Sequence, residues 1–191
     1  IDWTPFFQAW ELHGHYPAIL TDAVVGAQAS ELFGDAKAIL ERVVAERWLK
    51  AKAVVGFWPA TRVGDDIAIQ HQGEAIRLHH LRQQADKPLE RPNLCLADFI
   101  APRESGVTDW IGGFAVTAGL GIEPHLERFR QDNDDYSAII LKALADRLAE
   151  ALAEYMHRKV RTELWGYAAG ETLDNEALIA ATKTLVSEGF V

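Results

Sequence analysis

Methionine and cysteine are almost absent from this 191-residue sequence, which has one of each, Met156 and Cys95. A single cysteine cannot close an intramolecular disulfide, so a reducing, cytoplasmic setting is expected. An excess of positive charge is missing too: 19 Lys and Arg stand against 28 Asp and Glu, for a formal charge of −9. That balance argues against a nucleic-acid partner, because such binding rests on cations that neutralise phosphates. No apolar run approaches the roughly 18 residues that cross a bilayer and no secretory leader is read at the start, so no membrane partner is expected. Repeats, low-complexity tracts and blocks of like charge are also lacking, which argues against a solenoid or a disordered tail. The first residue is Ile1, not methionine, and the sequence reads as a piece of a longer polypeptide.

Apolar residues make up 49% of the chain, enough to bury a core in one domain or in one domain with an appendage. Aromatic residues crowd the start at Trp3, Phe6, Phe7, Trp10 and Tyr16, punctuated by Pro5, Gly14 and Pro17. This density predicts a packed segment with a helical turn. From about Gln28 to Leu49, the residues Leu32, Phe33, Ala36, Ile39, Leu40, Val43, Val44 and Trp48 recur at helical spacing. They predict an amphipathic helix that Gly34 weakens without ending.

The middle of the chain reads as strands. Ala53 to Trp58 is a β-prone run closed by Pro59. Ile67–Gln70, Ala75–Leu78, Leu94–Leu96 and Trp110–Val116 are further candidates, with turns at Gly64-Asp65-Asp66 and Gln72-Gly73-Glu74. The spacing favours an antiparallel meander over βαβ units. A long helix follows, capped by Asp134 or Asp135, with a stripe of Tyr136, Ile140, Leu144, Leu148, Leu152 and Tyr155 or Met156. It frays near Arg161 to Trp165, and a shorter helix starts at Asp174. The fold class expected is α+β: a twisted, mainly antiparallel sheet flanked by helices, with one long C-terminal helix.

Chemistry-bearing residues are sparse. His79-His80 with Cys95 and Asp98 lacks the paired spacing of a zinc site, and surface or capping histidines are the simpler reading. Gly64-Asp65-Asp66 reads as a tight turn, and Cys95 as a small core residue. The glycines at 112–113 and 119–121 lack the spacing of a dinucleotide fingerprint. No nucleophile elbow appears. These features alone identify no reaction.

Ordered blocks along the chain carry a resemblance. They are Asp2-Trp3-Thr4-Pro5-Phe6-Phe7, His15-Tyr16-Pro17, Ile19-Leu20, Val24-Val25-Gly26, Val54-Val55-Gly56-Phe57-Trp58-Pro59-Ala60 and Arg62-Val63-Gly64-Asp65-Asp66-Ile67. Leu81-Arg82-Gln83-Gln84, Cys95-Leu96-Ala97-Asp98-Phe99 and Asp134-Asp135-Tyr136 follow. Lys142-Ala143-Leu144-Ala145-Asp146-Arg147-Leu148-Ala149-Glu150-Ala151 and Trp165-Gly166-Tyr167-Ala168 close the series. Together they resemble the activation domain of cobalamin-dependent methionine synthase, a methyltransferase. The match extends to about Ile179.

The resemblance implies that the domain binds S-adenosylmethionine for the reductive methylation of cob(II)alamin to methylcobalamin. Cobalamin would be held mainly by the cobalamin-binding domain of the same enzyme. Flavodoxin or a diflavin reductase would donate the electron, and this one domain would not be active alone. Asp2 matches a family Asp that contacts S-adenosylmethionine, and Glu150 a family Glu associated with the ligand site. The competing readings are a terminal or capping acid for Asp2, and for Glu150 a helix-surface acid paired with Arg147 or Arg158. Arg77, Arg82, Lys87 and Arg91 are the basic candidates for docking an acidic electron donor.

After Ile179 the family continues with Arg-Pro-Ala-Pro-Gly-Tyr-Pro, which supplies an Arg for the ligand carboxylate and a Tyr that reaches the corrin. Here residues 180–191 read differently. The expectation is therefore a partial activation domain over 1–179, a little over half of the family's domain, and a truncated or divergent tail over 180–191. The alternative function is a non-catalytic interaction module that keeps the scaffold and has lost the S-adenosylmethionine cleft.

Overall fold

Buried side chains collect in two separate groups, and the described residues divide accordingly into two compact units, Ile1–Ala53 with the described residues from Ala115, and Val54–Phe114. A computed structural model describes residues 1–88, 91–173 and 177. The helix expected from Asp174 and the tail over 180–191 lie outside the described residues, apart from the single helical residue Ala177.

The first unit is helical. α1 (Thr4–Gln8) is a single turn that buries Phe6 and Phe7. α2 (Gly26–Ala45) buries Leu32, Ala36, Ile39 and Val43, the repeating face of an amphipathic helix. Gly34 lies within α2 where nothing approaches it, so its cost there is only the backbone entropy of a helical glycine. α3 (Glu123–Gln131) was not anticipated. Its only large apolar contributions are Leu126 and Phe129, one turn apart, in an otherwise polar segment. α4 (Asp135–Lys159) is the expected long helix, and the Asp134 carboxylate caps it by accepting the Ser137 N–H at 2.9 Å. The predicted stripe is buried at Ile140, Leu144 and Met156, joined by Leu141 and Ala145, while Tyr136 and Tyr155 remain exposed. Phe6, Phe7, Leu32, Ile39, Trp48, Phe129 and the α4 residues Ile140, Leu141 and Leu144 make one continuous core.

The strand-rich middle falls mostly in the second unit, although its first residues, Lys50–Ala53, and its last, Ala115–Leu120, belong to the first. β1 (Lys50–Val63), β2 (Asp66–His71), β3 (Glu74–Leu78) and β4 (Asp109–Leu120) form one sheet in the order β3-β2-β1-β4. The β1–β2 and β2–β3 ladders are antiparallel, with Ala60 opposite Ile69 and Ile69 opposite Ile76. Gln72 and Gly73 join β2 to β3 with φ of +52° and +85°, the two positive values of a type I′ turn. The α+β architecture is as expected, but two strand assignments change. β1 runs through Pro59 instead of stopping there, and Leu96–Phe99 is a 3₁₀ turn, not part of a strand. Gly56 is required by its neighbour: a Cβ there would lie 2.5 Å from the Trp58 ring, which shares its face two residues on. Among the described residues the core of this unit is small, with Ala60, Ile67, Ile69, Cys95 and Ala97 buried. Cys95 is buried as expected, and its Sγ lies 3.4 Å from the Asp65 carbonyl oxygen.

Candidate functional site

Asp2 is half-buried immediately before α1. Its Oδ1 accepts the Thr4 N–H at 3.0 Å, satisfying one of the donors that a helix start leaves open. Trp3 then anchors the segment, meeting Phe6 edge-on at 5.4 Å and Phe33 of α2 at 4.9 Å. Thr4 Oγ1 accepts the Tyr16 N–H at 3.2 Å, and the Tyr16 ring stacks on Phe7. The aromatic crowding at the chain start thus fixes the backbone that carries the Asp2 carboxylate.

Glu150 projects from α4 and pairs with Arg147, which also reaches Asp146 at 2.6 Å. The Arg147 side chain is 15% exposed and that of Glu150 40%, so the acid lies at the rim of a partly buried ion pair. Of the two basic residues weighed for Glu150, the structure brings Arg147 to it. Elsewhere in the first unit, a cleft of about 330 Å³ has Trp10, Glu31, Asp35 and Tyr136 in its walls. There the Tyr136 hydroxyl donates to Asp35 at 2.9 Å, and burial followed by that contact pushes the phenol up to about 12.

The end of α4 holds a buried cluster that the sequence did not reveal. Arg161 is 8% exposed and grips Glu171 with two hydrogen bonds of 2.8 and 2.7 Å. Its Nη1 also donates to His157 Nδ1, which requires that nitrogen to be unprotonated. Burial, then the nearby Arg161 charge, hold the His157 pKa below its ordinary value. Residues Val160–Leu164 form a π-helical turn, in which the Trp165 N–H reaches back five residues to the Val160 carbonyl at 2.8 Å. Trp165 and Tyr167 follow as an exposed edge-on pair, 6.0 Å between centroids. The only sequence signal for this cluster was an arginine where the helix was expected to fray.

In the second unit the basic candidates are largely engaged. Arg82 donates to both Asp98 oxygens at 2.7 and 2.8 Å, to Asp65 at 2.6 Å and to the Asn93 carbonyl at 2.7 Å. Arg62 adds a third donor to Asp98 at 3.0 Å. The Arg82 guanidinium, helped by the Cys95 N–H, holds the Asp98 carboxyl well below the usual carboxylate range. Arg77 faces Asp66 at 3.5 Å, and Lys87 contacts Gln83. His79 approaches Asp66 at 3.2 Å and is exposed, in keeping with a surface role. Among the described residues no group of three or more metal-capable side chains converges, and no helix is long and apolar enough to cross a membrane.

The model of the vitamin B12 dependent methionine synthase activation domain matches residues 1–184. The chain belongs to this activation-domain family. A solved structure described as the MetH reactivation domain bound to AdoHcy is similar at 52% identity with a TM-score of 0.87. That similarity covers 95% of this chain and 57% of the other, so the chain spans little more than half of that relative's length. The family read from the ordered motifs is thereby established, and with it the α+β fold. In this activation-domain chain, Asp2 and Glu150 occupy the start of α1 and the middle of α4, the first tied to a backbone N–H and the second to an arginine.

Proposed function

We propose that this chain contributes the acidic half of an S-adenosylmethionine site in the activation domain of cobalamin-dependent methionine synthase, a methyltransferase working in the cytoplasm. The observation that carries this reading is the half-buried Asp2 carboxylate, fixed by Thr4 and the aromatic cluster, in a chain 52% identical to a reactivation domain bound to AdoHcy. The residues present fit the cationic part of the ligand, whose ammonium and sulfonium suit a carboxylate in a partly dry setting. Asp2 would hold that end directly. Glu150 would be the second acid, and Arg147 limits how much negative charge it presents.

When bound, S-adenosylmethionine supplies the methyl group, and cobalamin, held mainly by a neighbouring domain of the same enzyme, supplies the metal that accepts it. This chain's own residues bind and orient the methyl donor, and one domain alone turns nothing over. Flavodoxin or a diflavin reductase is the proposed electron donor. Because Arg82 and Arg77 are already committed to Asp98, Asp65 and Asp66, the surface they offer an acidic donor is weaker than their local density suggested. The proposed domain assignment remains a partial activation domain over 1–179, followed by a distinct tail over 180–191.

Calorimetric titration of S-adenosylmethionine into the chain and into its Asp2→Ala variant tests the reading. The variant is expected to bind at least about tenfold more weakly, equivalent to roughly 1.4 kcal/mol. Equal affinity would remove Asp2 from the site. Binding by neither protein would show that residues 1–191 do not suffice, and the same pair within the complete enzyme then decides the role of Asp2. Failure of both proteins there would leave the rival interaction module as the better reading.

A further inference from the structure

The segment that follows α4 has little apolar anchoring among the described residues. Residues 165–173 form turns and irregular backbone, and none of them is buried. The Ala168 N–H donates to the Arg161 carbonyl and the Glu171 N–H to that of Ala168, each at 2.9 Å. Across these turns Arg161 reaches Glu171 through Nε and Nη2, so the two side chains clasp the segment to the end of the helix. Stretches with few buried contacts lie at the low end of local stability, where one such clasp decides whether they stay closed.

His157 sets the state of that clasp. A guanidinium carries donors only, so the 2.5 Å contact between Arg161 Nη1 and His157 Nδ1 exists only while Nδ1 bears no proton. Arg161 is buried, and both Glu171 oxygens are already engaged by it. The charged groups acting on the His157 ring are Arg161 from the π-helical turn and Glu171 from the segment beyond; Arg158 acts on Glu171 in turn, and Tyr167 on Arg161. With His157 neutral, Arg161 and Glu171 balance each other. A proton on Nδ1 sets two cations in contact against one carboxylate and leaves a buried Nη1–H without its acceptor.

We infer that His157, Arg161 and Glu171 form a proton-operated latch: protonation of His157 at Nδ1 undoes the clasp and frees the segment Trp165–Glu171, with its exposed aromatic pair, from the end of α4. Opening returns the histidine to solvent. Because burial holds the closed-state His157 below its ordinary value, the open form binds more protons, and opening becomes easier as pH falls below about 6.5. The gain levels off once the closed form is protonated as well. Trp165 and Tyr167 therefore present one fixed surface at neutral pH and a mobile one in acid. The latch involves neither Asp2 nor Glu150, so it stands apart from the S-adenosylmethionine reading, and its test uses no ligand.

Amide exchange and histidine NMR on the full-length polypeptide test it. From pH 7.5 to pH 5 the protection factors of the Ala168 and Glu171 amides, taken against the intrinsic rate at each pH, are expected to fall by about three- to thirtyfold. Those of Ile140–Leu144 should hold. In His157→Gln, whose amide oxygen accepts from Arg161 but does not titrate, the fall should vanish. An equal fall in that variant overturns the inference, as does a wild-type profile that stays flat. The ring nitrogens of the wild type give a second readout, independent of whether the variant folds: at pH 7.5 Nδ1 should be bare and Nε2 protonated. A proton on Nδ1 at that pH also overturns the latch.

Discussion

The two units of this chain achieve order by different means. In the first, Phe6, Phe7, Ile140, Leu141 and Leu144 are each no more than 1% exposed, and the helices around them are held by apolar burial. In the second, the large buried aliphatic residues among the described ones are Ile67 and Ile69, and further order comes from two hairpins and the charges gathered on Asp98. Burial is non-directional and tolerates rearrangement, whereas an ion-pair network depends on geometry and on pH. The difference predicts that the first unit responds mainly to changes of volume and the second to changes of charge and turn geometry.

The sharpest way to break this comparison is in the first unit. Phe7→Ala removes a fully buried ring and is expected to cost about 3–5 kcal/mol, read as a lower urea midpoint for the helical signal. A loss below about 1 kcal/mol would mean that this core is looser than its burial indicates.

In the second unit the test is pH. The Asp98 carboxyl lies below its ordinary value in the folded protein, so its stabilising contribution is complete above the unfolded value of about 4 and disappears as pH falls through the folded value. The protection factors of the β2 and β3 amides, taken against the intrinsic exchange rate at each pH, should therefore fall on acidification from pH 5 to pH 2 in the wild type. Asp98→Asn should be destabilised at neutral pH and show a flatter profile, and an unchanged profile would separate Asp98 from the stability of the hairpins. The smallest effect is expected at the β2–β3 turn. Gly73→Ala places a side chain at φ +85° and should cost about 1–2 kcal/mol, confined to that hairpin.

What could be read from the sequence follows the same division. α2, α4 and the two hairpins announce themselves through local spacing and turn residues, which need only a short window of chain. α3 escaped because two apolar residues in a polar segment give little periodicity, although Leu126 and Phe129 are enough once a core is there to receive them. β1 was cut short at Pro59 because the sequence marks the missing N–H, not whether that position needs a partner. The network on Asp98 draws on Arg62 and Arg82, 36 and 16 residues away, and Arg161 finds Glu171 ten residues on across an irregular segment. No local pattern encodes such pairings. Asp2 was singled out through the family motif, while its hydrogen bond to Thr4 and the aromatic packing beside it emerged only from the structure.

The π-helical turn at Val160–Leu164 carries a consequence for how this protein can vary. Such a turn amounts to one residue more than an α-helix would use, and each helical residue advances the chain by about 100° around the axis. Losing a single codon there would convert the turn to ordinary helix and leave Trp165 and Tyr167 close to their present direction, whereas losing one within the regular turns of α4 would swing them by about 100°. The turn is therefore a place where the chain can gain or lose one residue while that aromatic pair keeps its direction.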